Sequence, residues 1–110
     1  MRVVGDSFNV SRQGDAVHLQ GDLCFESGES LSAALDELVD RDGTLDVDMS
    51  GVTFMDLAGL RLLVRAARAR GESGPMVLHS PPPHVVRLMR ATQTLNSVPG
   101  LEVIVQSPRR

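Results

Sequence analysis

The 110-residue sequence predicts a single α/β domain in which helices pack on a mixed β-sheet. Short runs in which apolar and polar residues alternate are interspersed with segments whose apolar residues recur at helical spacing. Glycine, proline or aspartate separates these segments. A leading hairpin and three crossovers long enough to join parallel strands give the order ββαβαβαβ. A chain of this length encloses one hydrophobic core, so we expect one domain over residues 1–110 with its core at about 8–105.

The first two strands are predicted to form an antiparallel hairpin. Apolar and polar residues alternate over 8–11 and again over 17–20. Gln13-Gly14-Asp15 between them has the composition of a turn.

A helix over about 30–40 is predicted next, because four apolar residues fall at i, i+3, i+4 and i+7 and share one helical face: Leu31, Ala34, Leu35 and Leu38. Asp42-Gly43 ends it. A third strand follows at 45–49, where apolar residues alternate with Asp46 and Asp48. Residues 50–55 then lead into the second helix.

Asp56 is well placed to cap that second helix. Gly59 would let a neighbouring backbone or a partner approach closely, at a helix-propensity cost of about 1 kcal/mol relative to Ala. The predicted buried stripe is Leu60, Leu63, Val64 and Ala67. A neighbouring basic stripe at i, i+4 and i+7 faces outward and comprises Arg61, Arg65 and Arg68.

The last three elements are a strand, a helix and a strand. Residues 71–75 break the second helix, and 76–79 form a short apolar strand. Ser80 and three prolines start a third helix. Its predicted inner face is Val85, Leu88, Met89 and Thr92, and the last strand spans 101–105.

Composition argues against several classes of partner. The net charge of -3 and the absence of Trp and Tyr offer neither an electrostatic nor a stacking surface for nucleic acid. No stretch has the length of a membrane span and the N-terminus lacks the apolar region of a signal peptide, so direct membrane insertion is not expected. With Cys24 as the single cysteine, no internal disulfide forms, and we expect a cytoplasmic location.

The sequence predicts no enzymatic site, cofactor or metal. Cys24 with His18 or His79 would supply a nucleophile and a base, but no third residue is placed to orient them, and burial of Cys24 as a small apolar residue is the preferred interpretation. Asp46 and Asp48 point to the same side of one strand, as metal-binding carboxylates do. No further oxygen ligand is spaced to join them.

Residues 45–60 (LDVDMSGVTFMDLAGL) resemble the central signature of STAS domains of the bacterial anti-anti-sigma type. In that family an apolar strand ending in Asp-Leu-Ser precedes Gly-Val-x-Phe-hydrophobic-Asp-Ser-x-Gly-Leu. The element order agrees over 8–105, with Gly21-Asp22-Leu23 after the second strand and Thr94-Leu95 after the third helix. The resemblance implies a STAS-like mixed sheet with helices packed on it.

The resemblance also implies a non-enzymatic, partner-switching function in transcription regulation. Such proteins are anti-sigma factor antagonists that bind an anti-sigma factor of the ATP-binding kinase type, which phosphorylates a Ser or Thr just after the signature Asp. Here that residue is Leu57, which has no hydroxyl to modify. Cys24 stands where the family commonly has an Asp near that site, so we predict that this chain is not phosphorylated at the usual position.

The implied partner surface combines the loop before the first helix with the second helix: Asp22, Cys24, Asp56, Leu57, Ala58, Gly59, Arg61, Arg65 and Arg68. Leu57 is interpreted as an exposed apolar anchor, and the alternative is a side chain folded onto Cys24 or Phe25. The arginines are either part of the interface or a solvated face.

Two questions remain open at the level of sequence. An alternative function with the same fold is that of a STAS subunit in a lipid-transport or other membrane-transport ATPase system. The oligomeric state is not determined, and a weak homodimer is one open alternative.

Overall fold

A computed structural model of the chain describes residues 2–4, 7–13, 16–39 and 42–105. The described part contains a six-stranded sheet and three α-helices. The strands are β1 (Arg2–Val4), β2 (Phe8–Gln13), β3 (Ala16–Leu23), β4 (Leu45–Met55), β5 (Met76–His79) and β6 (Leu101–Ile104). The helices are α1 (Gly28–Val39), α2 (Leu57–Arg70) and α3 (Pro83–Ala91), with 3-10 turns at Phe25–Ser27 and Gly71–Ser73.

The strands lie in the sheet in the order in which they occur along the chain. The pairs β1–β2 and β2–β3 are antiparallel, and the three pairs from β3 to β6 are parallel. Right-handed crossovers between successive parallel neighbours place α1, α2 and α3 on one side of the sheet. The predicted α/β class and the order ββαβαβαβ are confirmed, and β1 is an additional strand at the edge.

The structure moves several predicted boundaries. Residues 50–55 are the second half of β4 rather than a connection. The pairing of β4 with β3 contains two register shifts, and because of them the apolar residues of this half do not alternate regularly in the sequence. Thr92 lies past the end of α3, where its hydroxyl donates to the Leu88 carbonyl at 2.8 Å. The predicted turn residues Gly14 and Asp15 and the predicted helix end at Asp40 fall outside the described residues.

The hydrophobic core lies between the sheet and the three helices. The four apolar residues predicted for α1 are all buried, as are three of the four predicted for α2. The exception is Val64, which is half-buried, while Ala66 takes the place in the core. In α3 the structure buries Val85 and Met89 as predicted, and Val86 in addition.

Arg70 is a buried charged residue at the end of α2, with only 2% of its surface exposed. Its Nε donates to the Gly74 carbonyl at 3.1 Å, its Nη1 to the Leu38 carbonyl at 3.2 Å, and its Nη2 to the Gly43 carbonyl. One guanidinium therefore ties the C-terminal ends of α1 and α2 to the two loops that follow them. Among the described residues, no helix combines the length and the apolar character needed to cross a membrane.

Candidate functional site

The candidate site begins at the N-terminus of α2, where Asp56 makes two hydrogen bonds with one carboxylate. Its Oδ1 accepts from the Gly59 backbone N–H at 2.9 Å, and its Oδ2 accepts from the Phe25 backbone N–H at 3.0 Å. The first bond caps the helix, as the sequence predicted. The second, which the sequence did not predict, fastens the turn before α1 beside the first turn of α2.

Gly59 lies directly against the end of β3. A Cβ atom at this position would stand 2.2 Å from the Leu23 carbonyl oxygen, which also accepts from the Asp56 N–H at 3.2 Å. The close approach anticipated for Gly59 is therefore to the protein's own backbone. Gly59 is buried and offers no side chain to a partner. Its role is to let the first turn of α2 pack closely on β3.

Leu57 and the three arginines project from α2 into solvent. The side chain of Leu57 is 41% exposed, in agreement with the interpretation as an exposed apolar residue. Arg61, Arg65 and Arg68 are exposed along the helix, and none forms an ion pair with a described acidic residue. We refer to these three residues as the arginine ridge.

Two open grooves border the arginine ridge. The α1/α2 groove has a volume of about 720 Å³ and is lined on its apolar side by Phe25, Ala33, Ala58 and Leu62. The second groove, of about 490 Å³, lies between α2 and the segment that follows α3, and is lined by Leu57, Leu60, Val64, Thr92 and Thr94. Arg61 and Arg65 border both grooves, so a partner that contacts the ridge also meets apolar surface on each side.

Phe25 is the most prominent surface residue that the sequence analysis missed. With 77% of its surface exposed, it stands at one end of the α1/α2 groove, held there through the Asp56 hydrogen bond. A signal existed in the sequence, because the apolar stripe of α1 begins at Leu31 and its helical spacing does not include position 25. An apolar residue outside any buried pattern is a candidate contact residue.

Two residues of the predicted partner surface are placed differently. Asp22 pairs in register with Phe54 and alternates with buried Leu23, so its carboxylate points away from the helices, where it accepts from the Thr53 hydroxyl at 2.6 Å. The structure therefore does not bring Asp22 together with the arginine ridge. Cys24 is half-buried rather than buried, with its Sγ 3.9 Å from a carboxylate oxygen of Glu26.

The sheet side opposite the helices carries two histidine–aspartate pairs. His18 Nδ1 lies 3.2 Å from an Asp48 oxygen, and His79 Nε2 lies 2.8 Å from an Asp46 oxygen. Partial burial raises the pKa of the Asp48 carboxyl, but hydrogen bonds from the Ser50 backbone N–H and hydroxyl, together with His18, outweigh it, so the pKa lies below its ordinary value. Asp46 and Asp48, considered above as metal ligands, are therefore paired with His79 and His18, considered above as bases.

Comparisons with known proteins agree with this architecture. The family model described as "Mlab, STAS domain" matches residues 7–96. An anti-sigma factor antagonist from Mycobacterium paratuberculosis superposes with a TM-score of 0.71 at 21% identity, covering 87% of this chain and 84% of that one. SpoIIAA in its unphosphorylated form superposes with a TM-score of 0.62 at 16% identity, covering 92% and 90%.

The phosphorylated form of the same protein, described as the Bacillus cell fate determinant SpoIIAA, gives a TM-score of 0.60 at 16% identity over 91% of this chain and 93% of that one. No curated protein sequence matched the chain. At these identities the solved structures establish a shared fold.

Proposed function

The chain belongs to the STAS domain family, and we propose that it is a non-enzymatic partner-switching protein, an anti-sigma factor antagonist that binds an anti-sigma factor of the ATP-binding kinase type. The fold that it shares with structures of anti-sigma factor antagonists supports this class of partner. We further propose that it acts in the cytoplasm, where such a partner would be found.

The observation that carries the proposal is the exposure of Leu57 beside the arginine ridge. Leu57 comes directly after the capping Asp56. It therefore occupies the position where the resemblance places the phosphorylated residue. An exposed apolar side chain at the end of a row of charged ones is an arrangement that suits an interface anchor, because the apolar side chain is buried against the partner while the neighbouring charges orient the complex.

Phosphate transfer to this site is expected to be absent. The purified chain, incubated with ATP and an anti-sigma kinase that binds it, should show no added phosphate at position 57 and little elsewhere, as measured by intact mass and peptide mapping. The reason is that Leu57 has no hydroxyl. Leu57→Ser is the matched variant that restores one, while stoichiometric phosphorylation of Ser50 or Thr53 in the parent chain would contradict the loss of the switch.

Leu57→Asp is expected to weaken binding to the anti-sigma factor at least tenfold, or about 1.4 kcal/mol. An apolar contact is lost and a charge must be desolvated within the interface. The fold should tolerate the change, because the side chain is 41% exposed and a carboxylate in the first helical turn interacts favourably with the helix dipole by about 0.3–1 kcal/mol. Titration calorimetry measures the affinity and circular dichroism the melting temperature.

Ile104→Asp is a matched control for this prediction. Ile104 is 50% exposed and pairs in register with His79, so it lies on the side of the sheet opposite the helices. The same change of charge should leave binding unaltered there. A folded Leu57→Asp protein with full affinity would remove Leu57 from the interface, and an unfolded one would show that Leu57 is required for the core.

A second candidate function is that of a STAS subunit in a lipid-transport or other membrane-transport ATPase system. It requires no change of fold, and the description of the matching family model, "Mlab, STAS domain", does not name an anti-sigma factor antagonist. Affinity capture from the native cell with identification of the bound chain separates the two functions. The first requires a kinase-like anti-sigma factor in the captured material, and the second requires a transporter ATPase.

A further inference from the structure

The two walls of the α1/α2 groove carry opposite charges. Glu29 and Asp36 stand on the α1 wall, and Arg61 and Arg65 stand on the α2 wall. All four residues are exposed. Within the described part of the chain no ion pair joins one wall to the other, so each wall keeps its charge available to a molecule that docks along the groove.

The charges of the two walls stand at matching heights. The hydrogen bond from the Phe25 N–H to Asp56 sets the starts of α1 and α2 side by side, and Glu29 and Arg61 follow four and five residues later. Asp36 and Arg65 together line a further cavity of about 130 Å³ between the helices. Both helices return the chain between parallel strands, and therefore they run in the same direction. The face thus presents a row of acidic residues parallel to a row of basic residues, with the charges of the two rows at similar positions along the helix axes.

We propose that a second copy of this chain docks on this face, related to the first by a two-fold axis parallel to α1 and α2. Rotation about such an axis leaves the position of each residue along the helix axis unchanged. It places α1 of one copy over α2 of the other. Glu29 then faces Arg61 of the second copy, and Asp36 faces Arg65. Because the interface is isologous, each pairing occurs twice.

The charge pattern selects this axis over the alternative. A two-fold axis perpendicular to the helices within the same plane would lay α1 over α1 and α2 over α2, which brings like charges together. Opposite charges across the interface favour the parallel axis, and repulsion disfavours the perpendicular one.

The apolar part of the face suits helix-to-helix contact. Small residues line the groove at Gly28, Ser32, Ala33 and Ala58, so another pair of helices can approach closely. Phe25, 77% exposed at the end of the groove, supplies the aromatic side chain that such a contact would bury.

The dimer is expected to be weak and to compete with other partners. The face is roughly 18 Å long and 20 Å wide for helices of this length and spacing. This area is well below the surface of about 800 Å² that each partner buries in a protein–protein interface of standard size. Because Arg61 and Arg65 belong to both this face and the arginine ridge, a chain in the dimer cannot bind the anti-sigma partner there at the same time. The dimer itself does not depend on the identity of that partner.

Two charge variants test the proposal by sedimentation equilibrium of the full chain. Glu29→Arg with Asp36→Arg makes both walls basic, and Arg61→Glu with Arg65→Glu makes both walls acidic. The parent should pass from the mass of one chain to that of two in a concentration series reaching about 1 mM. Each variant alone should remain a monomer, whereas an equimolar mixture should form a one-to-one heterodimer with a dissociation constant at least tenfold below that of the parent.

Three results would overturn the proposal: a parent that stays monomeric throughout the series, variants that dimerise alone as well as the parent does, or a mixture that does not associate. Circular dichroism of each variant checks the fold, and all four positions are exposed, so little change in stability is expected. If a reversed variant fails to fold, the neutral pair Glu29→Gln with Asp36→Asn replaces it and should weaken the parent dimer. Phe25→Ala keeps every charge and should also weaken it, which separates the apolar contribution from the electrostatic one.

Discussion

Arg70→Ala is expected to lower the free energy of unfolding by about 3 kcal/mol and the melting temperature by more than about 10 °C. The substitution removes a guanidinium that donates to the carbonyls of Leu38, Gly43 and Gly74. A buried acceptor left without its donor costs roughly 1–3 kcal/mol, and the Leu38 carbonyl is the most deeply enclosed of the three. For a small domain whose total stability is about 5–15 kcal/mol, this is a large fraction.

Two further substitutions isolate the cause of this loss. Arg70→Met keeps most of the side-chain volume and removes all the donors, so it should destabilise nearly as much as Arg70→Ala if hydrogen bonding dominates. Arg68→Ala, an exposed arginine of the same helical turn, should change stability by less than about 0.5 kcal/mol. Chemical denaturation at a fixed pH measures all three, and equal effects of Arg68→Ala and Arg70→Ala would contradict a specific role for the buried guanidinium.

Gly59→Ala is expected to destabilise the protein by a net of about 2 kcal/mol, although alanine is the better helix former. The helix propensity favours alanine by about 1 kcal/mol. Against this, the added Cβ would lie 2.2 Å from the Leu23 carbonyl oxygen and 2.8 Å from its carbon, both of them backbone atoms that cannot move aside as a flexible side chain would. The N-terminus of α2 must therefore shift away from β3, at a cost at the upper end of that seen for overpacked cores.

Gly28→Ala provides the matched control with the opposite sign. Gly28 begins α1 at φ −54, and a Cβ there would meet no atom within 4 Å. The substitution should stabilise the protein by about 0.5 kcal/mol through helix propensity and a less flexible unfolded chain. If both glycine substitutions raised the melting temperature, the close packing of α2 on β3 would be contradicted.

The shift caused by Gly59→Ala should also reach the proposed binding surface. Asp56 bonds the N–H groups of both Gly59 and Phe25, so a displaced first turn of α2 strains the link that holds Phe25 at the groove. Leu57 belongs to the same turn. A loss of partner affinity larger than the loss of stability alone would produce, measured well below the melting temperature, is the expected sign of this coupling.

The local sequence was sufficient to predict the fold class and much of α2. Spacing of apolar residues at three and four positions identified the buried faces of the helices, and an aspartate before such a stripe identified the cap, because both depend on contacts within a few residues. The arginine ridge followed from the same helical spacing. The STAS resemblance rested on a contiguous segment of sixteen residues, 45–60, and the family match over residues 7–96 confirmed it.

The tertiary structure decided which of these residues are exposed on the candidate surface. Whether Gly59 meets a partner or its own chain depends on Leu23, thirty-six positions away in the sequence, and the orientation of Asp22 depends on the register of β3 against β4. The sequence carries no local signal for the burial of Arg70, which depends on the loops at Gly43 and Gly74 that accept its hydrogen bonds. The exposure of Phe25 and the opposed charges of the α1/α2 groove arise in the same way. Each depends on the distance between elements far apart in the chain, which local periodicity does not encode.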